Sequence, residues 1–393
     1  MKIVLYVNSF LPELGGREVV VHYLAREYRR LGHDVRVLGP AGWWKHRKLC
    51  FGYPVHRWPT LRGHFPEQVY SAQLGLDTLI WGADIIHAHS TYPNGYTVAC
   101  MNKNKPLVIT PHGEDIHVIP EIGFGLRLKP ELDVKIKKSL ESAQLVTAIS
   151  NSIVDSLKVA GVDENKIRLI PNGIDIERFR GQAGGIRKWL NISGSAPVIM
   201  TVGRYHPRKG LEILLRSMPH VLKDVPDAKL VIVGDSNGKL EPLVRELSLR
   251  ESVRITGEIG FPAVSRGMEN DNNAVDKLAG VYRASNVYVS AAMEEGAEGL
   301  SLAMLDGMAA GLPIVATAIS GNKDLIESGI NGLLVPPADP VALARGIAEI
   351  LRNRPLAVQC GQNNLQTAKP YSWTAVAHQY LRVYQEAIRQ ADR

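Results

Sequence analysis

The chain is 393 residues long, 45% hydrophobic and 22% charged, values of an ordinary globular protein that exclude disordered, collagen-like and coiled-coil classes. That length exceeds the roughly 250–300 residues at which one hydrophobic core stops growing, so two domains are expected. The net charge of +7 is spread evenly, with 21 Lys and Arg against 17 Asp and Glu over residues 1–175 and 25 against 22 beyond; no basic tail marks a nucleic-acid binder, and the excess suits anionic small molecules or an anionic membrane surface.

Short β-branched runs alternate with longer amphipathic segments, the pattern of parallel sheets covered on both faces by helices. Strands are expected near Ile3–Val7, Val35–Leu38, Ile85–His87, Leu107–Thr110, Leu145–Ala148 and Ile167–Ile170. The rhythm restarts at Val198–Val202, Lys229–Val233, Val253–Thr256, Val287–Ser290, Ile314–Ala316 and Leu333–Val335. Residues 181–195 carry Gly181, Gly184, Gly185 and Gly194 without a strand pattern and read as an interdomain linker. The expected organisation is therefore a domain over 1–180, that linker, a second domain over 196–370 and a long amphipathic terminal helix within 371–393. Cys50, Cys100 and Cys360 are odd in number and lack a CxxC spacing, which points to a reducing, cytoplasmic setting. The apolar run at Met1–Val7 stops at Asn8 without a leader cleavage site, and no run approaches the ~18 apolar residues that span a bilayer.

The stretch Glu298 to Pro313 places two acids, Glu298 and Asp306, eight apart around the start of a helix. Leu302, Leu305 and Ala309 share one face of that helix, and its exposed amides and dipole make an anion site fit for a diphosphate. A strand-to-helix turn with Gly203, Arg204, Arg208, Lys209 and Gly210 follows Val202, at the carboxyl end of a parallel strand where such folds bind ligands. Arg204 and Lys209 suit phosphate oxygens, and Arg208 reads as solvent-facing. Gly15 and Gly16 follow the first strand and match neither the dinucleotide nor the P-loop fingerprint. His87, His89, His112 and His117 lie at or just beyond strand ends, with Glu114 and Asp115 beside His112. His87 and His89 share a strand face by alternation alone, and no metal site is read from them. No D-x-D pair is present to clamp a nucleotide-bound metal ion.

Together these features resemble the retaining glycosyltransferases of the GT-B fold, family 4, from end to end. The resemblance rests on Gly15-Gly16, Asp84 to His89, His112-Gly113, Ile170 to Asp175, Val202-Gly203-Arg204 with Lys209-Gly210, and Glu298 to Pro313. It implies two Rossmann-like doubly wound domains of the α/β class facing across a cleft, with a C-terminal helix crossing back. It further implies a nucleotide-diphosphate sugar, UDP- or GDP-linked, as co-substrate, with no cofactor or metal required. By the resemblance Arg204, Lys209, Glu298 and His112 are the catalytic groups. Gly15, Gly16, Gly203, Leu300, Ser301, Leu302 and Asp306 seat the donor. Asp306 stands where the family has Glu, one methylene longer, and Ser301 where Gly is commonest; a bridging water can restore the shortened reach of Asp306 to the ribose.

Retention then proceeds by same-face attack with the departing diphosphate as base, rather than through a carboxylate nucleophile. Acceptor-side candidates are Glu114, Asp115 and Tyr92. A basic aromatic loop at 43–58 and the five cations between Arg127 and Lys138 suit a glycan or lipid-linked acceptor at the face of an anionic membrane. Two rival readings are a GT-B-like nucleotide-sugar epimerase and a non-catalytic nucleotide-binding protein.

Overall fold

The computed structural model describes residues 1–41, 51–59, 67–101, 105–181, 184–234, 236–260, 276–293 and 299–392. The chain divides into two compact units, Met1–Asn172 with Trp373–Arg393, and Gly173–Pro262 with Asn273–Ser372; the first unit's remaining segment, 263–272, lies outside the described residues.

The first unit carries β1 (Lys2–Tyr6), β2 (Asp34–Ala41), β3 (Val55–Pro59), β4 (Ile85–Ala88), β5 (Leu107–Ile109), β6 (Leu145–Ala148) and β7 (Ile167–Leu169). They form one sheet in the order β3-β2-β1-β4-β5-β6-β7, with every neighbouring pair parallel. Ile3, Val4, Leu5, Ile85 and Ile86 have no exposed surface, because a parallel sheet is covered on both faces and its strands read as continuous apolar runs. Each strand read from the sequence is present. The addition is β3, an edge strand inside the segment expected as an aromatic loop; Pro54 and Pro59 bracket it and hide its period.

The second unit carries β8 (Val198–Val202), β9 (Lys229–Val233), β10 (Val253–Ile255), β11 (Val287–Ser290), β12 (Ile314–Thr317) and β13 (Gly332–Val335). Their order is β10-β9-β8-β11-β12-β13, again all parallel. One face packs Met200, Val231 and Tyr288 under Met304, Leu305 and Met308; the other packs Ile199, Leu230 and Val287 under Leu214, Leu215, Leu343 and Ile347. Each such fully buried side chain contributes about 1.5–3 kcal/mol. Within 181–195, expected as linker, the short helix Ile186–Trp189 buries Ile186, and Leu190 and Ile192 join this core.

The terminal helix Trp373–Ala391 belongs to the first unit. Trp373 stacks on Tyr23 at 5.1 Å, the Tyr384 and Tyr28 hydroxyls lie 2.9 Å apart, and Arg168 pairs with Glu386. The chain thus leaves the second unit after Ser372 and returns to complete the first.

In each sheet the order reverses once, between β1 and β4 and between β8 and β11. The loops leaving such neighbours part to opposite faces and open a crevice at the carboxyl ends of the strands, the usual ligand position of doubly wound folds.

Candidate active site

At the reversal of the second sheet, β8 runs into Gly203 and Arg204, and the turn closes through the 3-10 segment Pro207–Lys209 onto the helix Leu211–Asp224. The Lys209 amide donates to the His206 carbonyl at 2.9 Å and the Gly210 amide to Pro207 at 3.0 Å. Gly210 has φ +62°, and a Cβ there would collide with the Ala291 carbonyl oxygen just beyond β11. Only glycine meets both demands. The turn is pinned to β11 a second time by the Met293 amide donating to the Arg208 carbonyl at 3.0 Å. Gly210→Ala is therefore expected to cost about 2 kcal/mol or more. A thermal melt within a degree of the parent would refute that packing.

Gly203 lets the aliphatic stem of Lys209 pass over it, with the stem 3.8 Å from where a Cβ would stand. Arg204 is exposed and Lys209 half-buried, both at the carboxyl end of the strand. Arg208 departs from its expected place in solvent: it is half-buried and its Nε lies beneath the surface.

The chain leaves β11 and, beyond residues 294–298, enters the helix Leu302–Ala309. Glu298, expected at the sugar, lies outside the described residues. Leu300 is buried and Leu302 half-buried. The Ser301 hydroxyl caps this helix, accepting from the Met304 amide at 3.3 Å. Serine where the family prefers glycine thus satisfies one N–H of the first turn.

Asp306 sits in the middle of that helix. Burial pushes its carboxyl up to about 7; the Arg178 guanidinium opposes this, and the carboxylates of Asp276 and Asp175 add to it. Arg178 itself makes two hydrogen bonds to Asp276, at 2.6 and 3.1 Å, and Asp276 caps the next helix through the Ala279 amide at 3.0 Å. Tyr282 donates to the Ala303 carbonyl at 2.8 Å, and its phenol is raised well above its usual range by burial and by Asp306. The acid one methylene shorter than the family's is thus surrounded by a charge network that sequence reading missed. Its members stand far apart in the chain, Arg178 and Asp276 being 98 positions apart.

At the reversal of the first sheet, β1 leads to Gly15, which begins the helix Gly16–Arg30 without a side-chain cap. Arg17 in its first turn donates to Ser9 at 2.9 Å and Glu18 at 3.1 Å. β4 and β5 deliver His87, His89 and His112. His112 Nε2 lies 3.2 Å from His89 Nδ1, and the His87 and His89 rings lie 4.0 Å apart. Burial lowers His112 to about 3, with the charge of Arg17 assisting, and burial lowers His87 to about 3. All three rings are neutral near pH 7.

Asp115 is buried, and its carboxylate is used within the fold. One oxygen accepts from the His112 and Gly113 amides at 2.9 and 3.2 Å, and the other from the Thr91 amide at 2.6 Å. It clamps the turn that presents His112. Glu114 is exposed, and Tyr92 is half-buried with the Lys135 ammonium 5.3 Å from its ring centre. Among the described residues no group of three or more side chains is arranged to hold a metal ion.

The buried histidines make stability depend on pH. His22, hydrogen-bonded to the Tyr53 hydroxyl at 2.7 Å, is lowered to about 4 by burial, and His89 falls well below its ordinary range for the same reason. Groups lowered in this way stabilise above the unfolded value of about 6.5, and the contribution is lost as pH falls through that value towards their folded ones. Asp306 acts oppositely, its unfolded value being about 4. At pH 5 unfolding takes up a proton at four histidines and releases one, each worth about 1.4 kcal/mol per pH unit. The melting temperature should fall steeply from pH 7 to pH 5; a flat profile would contradict the burial of these rings.

Comparison with known proteins places the chain. Residues 14–178 match the model of Glycosyltransferase Family 4, and residues 196–353 that of Glycosyl transferases group 1. An uncharacterized glycosyltransferase of Methanocaldococcus jannaschii is 26% identical over 419 residues, covering 100% of both chains. Sucrose-phosphate synthase from Thermosynechococcus elongatus superposes with a TM-score of 0.82 at 22% identity, over 99% of each chain. Anabaena HepE in complex with UDP-glucose does so with a TM-score of 0.78 at 20% identity, over 98% of this chain and 100% of that one. The protein belongs to the family 4, group 1 glycosyltransferases and has their GT-B fold of two Rossmann-like domains.

Proposed function

We propose that this glycosyltransferase moves a hexosyl or N-acetylhexosaminyl unit from a UDP- or GDP-sugar to an acceptor with retention of anomeric configuration. The observation that carries the reading is the turn 203–210, which holds Lys209 over Gly203 at the strand-order reversal of the second unit. The neighbour solved with UDP-glucose supports a nucleotide-sugar donor.

In this assignment Arg204, Lys209 and the first-turn amides of the helix Leu302–Ala309 neutralise the diphosphate, with Gly203, Leu300, Ser301 and Leu302 shaping its seat. Glu298 takes the sugar hydroxyls and Asp306 the ribose, directly or through a water. Gly15, Gly16 and His112 keep the donor-sugar role that the family resemblance implies. The acceptor oxygen bonds to the anomeric carbon on the face that the diphosphate leaves. The departing phosphate oxygen takes the acceptor proton, so no protein nucleophile is consumed. The catalytic effect is stabilisation of charge developing on the leaving group.

Release of free nucleoside diphosphate together with an acceptor glycoside of unchanged anomeric configuration, read by NMR, would establish the reaction. Epimer interconversion without transfer would establish the rival epimerase, and binding without turnover a binding protein.

For the acceptor we propose a glycan or a lipid-linked sugar at the cytoplasmic face of an anionic membrane, with Glu114 and Tyr92 nearby and Asp115 holding the turn. The supporting surface is the helix Pro130–Ser142: Lys135 and Lys138 lie over the Tyr96 ring, and Val134 is 68% exposed. The charge is partly offset, since Asp133 pairs with Arg127 and Lys137. The loop around Trp43 lies outside the described residues. Among the described residues no helix is long and apolar enough to cross a membrane. Flotation with anionic liposomes at low salt should carry the protein, and 0.5 M salt, roughly, should release it; no flotation at low salt would remove the membrane from the account.

A further inference from the structure

A buried polar chain runs through the first unit and is not used by the chemistry above. Tyr28 and Tyr384 share a hydrogen bond, the Tyr384 hydroxyl lies 2.6 Å from His87 Nδ1, and His87 Nε2 lies 2.6 Å from the Thr110 hydroxyl. Both nitrogens of His87 are thereby occupied. His89, whose ring lies tilted against that of His87, differs. Its Nδ1 meets His112 Nε2 at 3.2 Å, while its Nε2 is buried without a hydrogen-bond partner among the described residues.

A neutral imidazole carries one N–H and one lone pair, and the bond that one nitrogen makes determines which form is present. If the His89 proton sat on Nε2, a donor would be buried unpaired, and with the proton on Nδ1 that penalty is avoided. The proton belongs on Nδ1, where it has an acceptor. That acceptor is His112 Nε2, so Nε2 of His112 carries no hydrogen and its own proton is on Nδ1. Both rings are kept neutral by burial, with His87 and the Arg17 guanidinium as the charged or titratable neighbours that favour the neutral form. The rest of the turn is fixed independently, because Asp115 holds the His112 backbone amide and Asn94 holds the His89 carbonyl at 2.8 Å.

We propose that His89 is a positioning residue that fixes His112 in the Nδ1–H tautomer, so that His112 meets the transferred sugar as a hydrogen-bond donor at Nδ1 and not as an acceptor. The chemical consequence is that His112 Nδ1–H can pair with any sugar oxygen, including one that carries no hydrogen, whereas a bare nitrogen would require a hydroxyl. The inference rests on the reading that His112 serves the donor sugar, but its geometric part does not.

The test is side-chain NMR on the full chain labelled with 15N-histidine, with His89 and His112 assigned by substitution. His112 is expected to show a protonated Nδ1 and a bare Nε2, as is His89. A protonated Nε2 on His112 would overturn the proposal whether or not the protein transfers sugar. Two variants separate positioning from mere support. His89→Asn can place an amide N–H near the Nδ1 position and should keep the His112 tautomer and kcat. His89→Leu should leave His112 as a mixture of tautomers and lower kcat about 10-fold with donor KM little changed. An unchanged His112 spectrum in His89→Leu would overturn the proposal, and so would equal kcat losses in both variants. If His89→Leu does not fold, the spectrum of the parent protein still decides.

Discussion

Lys209→Ala is expected to lower kcat/KM for transfer about 100-fold or more, the largest effect of any single truncation proposed for the second unit. In the proposed assignment the ammonium faces a diphosphate whose negative charge grows as the glycosidic bond breaks, so about 3 kcal/mol of transition-state stabilisation would be lost with it. The turn keeps its backbone path in the variant, since the Arg208, Lys209 and Gly210 amides bond to His206 and Pro207, and none of these bonds uses the Lys209 side chain. The melting temperature should therefore change little while steady-state kinetics collapse. A variant with kcat/KM within about threefold of the parent would show that the cation is not at the leaving group.

His112→Ala should separate chemistry from binding. In the proposed assignment its loss removes one donor to the sugar, an interaction worth about 100-fold in kcat when it acts in the transition state. Nucleotide affinity should be preserved, since the nucleotide contacts assigned above belong to the second unit. Asp115 grips the His112 amide and not its ring, so the turn keeps its path when the imidazole is removed. The measurement is a pair of titrations, turnover with the nucleotide sugar and calorimetry with the nucleoside diphosphate alone. Equal losses in both would take His112 out of the sugar site.

What the sequence made legible follows from the range of the signals. Strand positions are local: runs such as Ile3–Val7 and Val198–Val202 are apolar because both faces of a parallel sheet are buried, and the structure has strands at each. Gly210 was legible in part for the same reason, since its φ of +62° is set within its own turn, although the Ala291 carbonyl that also excludes a Cβ comes from just beyond β11. β3 was not, because the prolines around it and the aromatic residues within it imitate a surface loop. The network around Asp306 was invisible in a stronger sense. Arg178 and Asp276 are 98 positions apart, and nothing in either neighbourhood announces the other. Asp115 was legible as an acid beside a histidine, but not as a clamp, because three backbone amides from two loops converge on it only in the fold. His89 could be placed on a strand face by alternation; that one of its nitrogens would be buried without a partner required coordinates.

The central claim is that the cations and open amides of the second unit hold a nucleoside diphosphate by its phosphates. Calorimetric titration of the intact chain with UDP, GDP and their two nucleosides tests it without knowledge of the sugar or the acceptor. The account predicts that at least one diphosphate binds about 100-fold more tightly than its nucleoside, two charge-assisted contacts at about 1.5 kcal/mol each being sufficient, and that Lys209→Ala lowers that ratio about 10-fold. Equal affinity for diphosphate and nucleoside, or no binding of either diphosphate, would contradict it.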